Sequence, residues 1–343
     1  MKSKRVIIPI FVSHQGCPND CVFCNQRSIT GVDNSFDASK YISMIDEYLD
    51  SIKNIEDTTV EIAFYGGSFT GIEKELQEKY LKLAYIYIKS GVVDGIRLST
   101  RPDYIDEEIL KLLKMYGVTT IELGVQSFDE HVLRLSNRGH DSDIVYEKAK
   151  MIKDYGFILG IQLMIGLPGD DYNTSIESAK CAARIKPDIA RIYPTLVIKD
   201  TELASMYENG FYKPLTLDDA IISAKEMYKI LLDADINVIR IGLQPTENIL
   251  EGNDVICGPF HPSFRHLVES KILLEEVESR LETNDYSGKE MLIQVKEKKI
   301  SEMIGIKKEN IKYLQAKYGF KKIKVIGLCD SVLYINIVIK DGL

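Results

Sequence analysis

Cysteine is scarce in this chain, with six in 343 residues. That is too few for a disulfide framework. Three of the six crowd into residues 17–24, an odd number where bridges need pairs. Long apolar runs are lacking as well. Stretches such as VIIPIFV (6–12) fall far short of the ~20 residues a membrane-spanning helix needs. The start, MKSKRVIIPIF, has no secretory pattern, because its apolar run is too short and no small-residue cleavage site follows. No internal repeat or low-complexity segment is evident. These absences set aside a secreted disulfide scaffold, a membrane protein and a repeat array. They leave a chain expected in the reducing cytoplasm with no membrane partner, where clustered cysteines read as metal-binding or catalytic.

What is present is ordinary in bulk and uneven in detail. Hydrophobic residues make up 45% and charged residues 27%, both normal for a globular chain. The length suits one barrel plus an appendage. Net charge is −8, yet residues 287–343 hold twelve Lys, no Arg and six acids, which leaves the remaining 286 residues at −14. A lysine-rich end reads first as a solvated face, and second as a contact for nucleic acid or an acidic protein.

Short β-branched runs alternate with amphipathic stretches. VIIPIFV (6–12), TVEIAFY (59–65), GIRLST (95–100), TTIELGV (119–125), ILGIQLMIG (158–166) and IARIYPTL (189–196) read as strands. Near-continuous apolar runs suit parallel strands buried on both faces. In IDEEILKLLKMYG (105–117), Ile109, Leu112, Leu113 and Tyr116 recur at helical spacing, with Glu107 and Glu108 in the first turn and Gly117 as a stop. YEKAKMIKDYGF (146–157) repeats the pattern. Six strand–helix units before about residue 235 predict an α/β fold, a partial (β/α)6 TIM-like parallel barrel, with a doubly wound open sheet as the competitor. Residues 240–264 read as loop and 264–282 as a long helix, and the end reads strand, helix, strand, strand. The expected division is a partial barrel at 1–240, a barrel-capping extension at 241–286 and a small basic α+β lobe at 287–343.

The cysteine trio in GCPNDCVFCNQ (16–26) is Cys17, Cys21 and Cys24, spaced C-x3-C-x2-C. On a loop, this spacing lets three thiolates converge on one small inorganic cluster. Zinc fits less well, since structural zinc wants four ligands and no second close Cys pair or His follows. A [4Fe–4S] cube on three thiolates keeps one iron open for substrate or cofactor. The loop follows the first strand, which places the metal at the C-terminal mouth of a parallel sheet. Phe23 is placed to pack over the cluster and shield it from water, which tunes redox potential.

C-x3-C-x2-C with an aromatic before the last Cys, after a first strand, resembles the radical S-adenosylmethionine (SAM) superfamily. The resemblance implies an enzyme whose open iron is chelated by SAM. One electron from the [4Fe–4S] cluster then cleaves the sulfonium to a 5′-deoxyadenosyl radical. It also implies a low-potential electron donor of the flavodoxin or ferredoxin type. FYGGSFTG (64–71) matches the family's glycine motif, so Gly66 and Gly67 would receive the SAM amino group. Ser99, in STRPD, offers a hydroxyl suited to a ribose or carboxylate. Arg101 either caps locally or contributes to the mouth. Gln126 ends the fourth strand, and Arg138, in SNRGH, would hold the SAM carboxylate as a forked pair. Gln162 matches a position facing the adenosine. Ile165 and Gly166 fit an apolar shelf for adenine, with residues 166–169 as the turn behind it.

YGGSFTG, STRPD, LGVQS, NRGH and IGLPG, together with RIYPTLVIKDTEL (191–203) and GPFHPSFRHLVES (258–270), resemble the elongator-subunit-three-like branch over residues 1–280. That branch carries a further acetyltransferase domain and acts on the wobble uridine of tRNA. Such a domain does not fit in the remaining ~60 residues, so acetyl-transfer chemistry is not expected of this sequence. Cys181, Cys257 and Cys329 read as small buried hydrophobes. His261 is a candidate substrate contact, and Tyr193 reads as packing with a tethered hydroxyl. MIGIKKENIKYL (303–314) is similar to a KH-type RNA loop, with Gly305 present and Lys308 in place of the second glycine. Three functions compete: a radical SAM enzyme acting on tRNA through the basic lobe, one acting on a small molecule or peptide, and a non-catalytic iron–sulfur protein. The acidic barrel half favours the second.

Overall fold

The computed structural model describes residues 4–12, 21–24, 36–243, 254–282, 285–328 and 335–341. Seven strands form one sheet: β1 (Lys4–Phe11), β2 (Thr58–Tyr65), β3 (Gly95–Thr100), β4 (Val118–Gln126), β5 (Ile158–Ile165), β6 (Ile189–Pro194) and β8 (Asn237–Ile241). Their spatial order is their sequence order, and every pair is parallel. An unreversed order has no switch point, so the doubly wound alternative falls. The sheet curls into a half-barrel, a partial TIM barrel. The sequence expectation of six units is met and extended by a seventh strand, NVIRI, which is too short to stand out by composition.

Local chemistry sets the helix ends. The helix Glu107–Met115 begins where the Asp106 carboxylate accepts the Ile109 amide at 2.8 Å. It ends at Gly117, whose φ of +74° closes the turn. Its buried stripe runs through Leu110, Leu113 and Tyr116, while Ile109 and Leu112 are half-buried, so the face is turned one position from the expected one. Ile62, Ile96, Leu98, Ile121, Leu123, Leu159, Ile161 and Leu163 are fully buried in the main core.

The strands are not apolar on both sides. Glu61 and Tyr65, Arg97 and Ser99, Glu122 and Gln126, Gln162, and Arg191 and Tyr193 alternate with those core residues along the same strands. Full TIM barrels fill the interior with Val, Ile and Leu. This half-barrel keeps a polar inner face, which is what a ligand cavity requires.

Residues 240–264, expected as loop, contain a short strand β9 (Val255–Cys257) pairing antiparallel with β7 (Val197–Ile198). The helix α9 (Phe264–Glu278) follows α8 (Leu217–Asp233), with α1 to α7 being Ala38–Asp50, Lys74–Lys89, Glu107–Met115, Glu130–Leu135, Asp143–Asp154, Tyr172–Ile185 and Glu202–Glu208. Beyond α9 lies a three-stranded sheet ordered β11–β10–β12, from β10 (Glu290–Lys296), β11 (Lys322–Leu328) and β12 (Ile335–Lys340). Its helices are α10 (Ile300–Ile304) and α11 (Glu309–Tyr318). α9 serves two cores: Phe264 and Val268 pack with the barrel, and Leu274 and Val277 with Met291, Ile293, Leu314 and Phe320 of the lobe. No described helix is long and apolar enough to cross a membrane.

Candidate SAM and iron–sulfur site

The C-terminal strand ends open onto a cavity of about 870 Å³. It gathers most of the expected residues: Cys21, Phe23, Cys24, Gly66, Gly67, Ser99, Gln126, Arg138 and Gln162. Cys17 lies outside the described residues. Cys21 is buried, and the Cys24 amide donates to its carbonyl at 2.9 Å, a turn that carries both thiols to the same wall. Two guanidinium groups aim at the Cys21 sulfur, Arg138 Nη1 at 3.1 Å and Arg101 Nη1 at 3.7 Å. Arg101 is also gripped by both Asp103 oxygens, at 2.9 and 2.8 Å, so it pairs locally and serves the mouth at once. Phe23 packs with Val22, Val197, Leu203 and Tyr212 at the cavity edge.

Ile165 does not join them. Gln162 faces the cavity, and a residue three positions on in a strand faces the other side. Ile165 is fully buried in the main core between sheet and helices. Gly166, with φ +77°, is held by the Tyr212 hydroxyl on its carbonyl and by Asp170 on its amide. His261 accepts the Ser263 amide at 3.0 Å in its own turn and does not line the cavity. Tyr193 does line it, with its hydroxyl tethered as expected.

The residues present fit a cluster and SAM. At Gly66 the backbone has φ +104°, and a Cβ would meet the Val12 carbonyl at 2.9 Å. Only glycine leaves that backbone bare for a ligand. Gln126 takes a left-handed φ of 70°, and its buried Oε1 has no partner among the described residues. Strain and an orphaned acceptor together mark a ligand-facing group. Gly124 makes room for it, since a Cβ there would lie 3.0 Å from Gln126 Nε2. Gln162, which lines the cavity, is anchored by its Nε2, which donates to Ser99 Oγ at 3.2 Å and to Glu122 at 3.4 Å. Gly66→Ala is expected to cost about 10²-fold in SAM-dependent turnover through displaced backbone, read by 5′-deoxyadenosine formation alongside a thermal melt.

Behind the ligand wall runs an ion network that sequence reading missed. Arg97, with its side chain 1% exposed, bridges Glu61 at 3.0 Å and Glu122 at 3.2 Å. Arg191 forks onto the Glu122 carboxylate and donates to the Tyr193 and Tyr65 hydroxyls, both at 3.1 Å. Burial, the largest single influence, would lower the Arg191 pKa, but the charge and hydrogen bond of Glu122 together with Tyr193 and Tyr65 raise it. A signal was available: one charged residue stands at the inward phase of β2, β3, β4 and β6, alternating in sign along that series.

A curled parallel half-barrel with thiols, a glycine turn and arginines at its mouth defines a cofactor-dependent enzyme. The chain belongs to the radical SAM superfamily, matching that family over residues 11–182 and the Radical_SAM C-terminal domain over 187–273. Within it, the similar curated proteins include tRNA uridine acetyltransferases and elongator subunits. The chain is 29% identical over 254 residues to a tRNA uridine(34) acetyltransferase of Methanocaldococcus jannaschii, covering 63% of this chain and 47% of that protein. It is 31% identical over 239 residues to an uncharacterized protein of the same organism, covering 64% and 69%. Elongator complex protein 3 of Bos taurus is 27% identical over 260 residues, covering 63% and 47%. The chain spans about half the length of the acetyltransferase and elongator relatives it matches. The solved Elp3 of Methanocaldococcus infernus, with an N-terminal deletion, shares the fold at TM-score 0.63 and 23% identity, over 82% of this chain and 65% of that one.

Proposed function

We propose that Cys17, Cys21 and Cys24 hold a [4Fe–4S] cluster, that SAM occupies the adjoining cavity, and that the enzyme modifies tRNA. The observation that carries this is the convergence of Cys21, Cys24, Gly66, Gln126 and Arg138 on one cavity. Bound together, cluster and SAM would supply one-electron reductive chemistry at the sulfonium. The chain's own part is to position and exclude water. The bare backbone at Gly66 and Gly67 accepts the amino group, Arg138 takes the carboxylate, and Ser99 and Gln162 orient the nucleoside. Phe23 closes the edge. A low-potential donor of the flavodoxin or ferredoxin type supplies the electron.

Two features favour RNA. Curated relatives are named for tRNA uridine chemistry. In the lobe, the turn between α10 and α11 has Gly305 at φ +76° with Lys307 and Lys308, both exposed, at +51° and +64°. Lys308 thus adopts the left-handed backbone that a second glycine would favour. The test combines two readouts. Anaerobically reconstituted protein with SAM and dithionite should yield 5′-deoxyadenosine. Lys307→Glu/Lys308→Glu should weaken tRNA binding and flatten its log–log salt dependence by roughly 1–2 units. Point variants are preferred to truncation, which would strip Leu274 and Val277 of α9 of their cover. An unchanged salt slope would favour a small molecule or peptide instead.

A further inference from the structure

The cavity at the strand ends is rich in arginine. Four arginines line it, Arg101, Arg138, Arg191 and Arg240, and no Asp or Glu is among its described lining residues. Asp103 and Glu122, which balance Arg101 and Arg191, stand behind the wall. The chain is strongly acidic outside its lysine-rich end, but a low-dielectric cleft focuses the field of its own lining. An anionic ligand therefore meets a positive interior.

The arginines fall into two groups. Arg101 and Arg138 adjoin Cys21 on the β3–β4 side. Arg191 and Arg240 are paired in register on β6 and β8. Beside Arg191 stand Tyr65 and Tyr193. Their oxygens accept from two nitrogens of the one guanidinium. Each phenol therefore keeps its hydrogen to donate, and neither donates to a protein acceptor among the described residues. Burial raises the pKa of both tyrosines, so they stay protonated at neutral pH. Two O–H donors with an arginine alongside suit an oxygen-rich anion.

We infer that Tyr65, Tyr193 and Arg240 form a second subsite, distinct from the Cys21 side of the cavity, that binds an oxyanion of the substrate, a phosphate or a carboxylate. Arg191 is its positioning residue, with its charge committed to Glu122 and its remaining hydrogen bonds holding the two phenols. The inference rests on the reading above that the Cys21 side takes SAM, whose single carboxylate is met there.

The test is calorimetric titration of the full-length, anaerobically reconstituted protein holding saturating SAM. The probes are inorganic phosphate, uridine 5′-monophosphate and succinate, with uridine as the neutral control. The oxyanion probes are expected to bind and uridine to bind at least tenfold more weakly. Tyr193→Phe and Arg240→Gln should each weaken the bound probe roughly tenfold. Preference for uridine 5′-monophosphate assigns a nucleotide phosphate, and preference for succinate a carboxylate; either supports the subsite. Probe affinity equal to that of uridine overturns it, as does affinity undiminished in both variants. Thermal melts establish that each variant folds, and Arg240→Gln carries the test if Tyr193→Phe does not. Failure of SAM to bind the unaltered protein would instead sink the functional reading, and phosphate titrated without SAM would still report on the subsite.

Discussion

Protein with Cys17, Cys21 and Cys24 replaced by alanine is expected to emerge from anaerobic purification colourless and iron-free, and to form no 5′-deoxyadenosine above background. Cys21→Ala alone should come close to the same result. A cube held by two thiolates would have two open irons and be readily lost, and Cys21 is the buried thiol approached by Arg138 and Arg101. Those guanidiniums would offset the negative charge of a thiolate-bound cluster, and their hydrogen bonds to sulfur would also set its potential. Cys181→Ala is the control. Cys181 sits half-buried on α6, 2.9 Å from Arg184 Nη2, and should leave iron content unchanged. Iron assay, visible absorption and product chromatography read all three variants. Full iron content in the triple variant would remove the basis of the assignment.

The strands were legible in the sequence because β-branched residues concentrate on the outer face, where helices cover them. β2 at Thr58–Tyr65 and β3 at Gly95–Thr100 fall within a residue of the expected runs. The same reading misjudged the inner face. Isolated polar residues such as Arg97 in GIRLST look like interruptions of an apolar run until the pleat puts them on one side together. Ile165 was misplaced for the same reason, a one-residue error of phase that exchanges cavity for core. Cys21, Gly66, Gln126 and Arg138 were legible because the spacing of a motif survives in one dimension. The Glu122–Arg191 pair was not. Its partners are 69 positions apart and meet only through the register of β4, β5 and β6. Glu122 aligns with Gly160, and Gln162 with Arg191, so β5 presents a glycine where the two long side chains must cross it. A Cβ on Gly160 would lie 2.8 Å from Glu122 Cγ.

That pair yields the largest stability effect expected of any single change in the barrel. Glu122 is 1% exposed and accepts from Arg97, Arg191 and Gln162. Glu122→Leu would leave Arg97 with Glu61 alone and Arg191 with two phenols, neither of which carries charge. Breaking a buried pair from one side costs about 3–5 kcal/mol, because the remaining charge stays desolvated. At ~2–4 °C per kcal/mol for large domains, the melting temperature should fall on the order of 10 °C. Glu122→Gln retains an acceptor and the volume but loses the charge, so it should fall between. The decisive comparison is the double variant Glu122→Leu/Arg191→Met. Removing both charges also removes the desolvation cost, and the double variant should regain well over half of the loss. Recovery of stability should come without recovery of function. Gln162 would have lost one of the two acceptors that anchor its side chain, and Tyr65 and Tyr193 the guanidinium that holds them. A network kept for fold alone would return both together. Additive losses in the double variant, or a melting shift of only a degree or two in Glu122→Leu, would mean that water reaches these charges and that the inner wall is not the dry, positioned surface the chemistry requires.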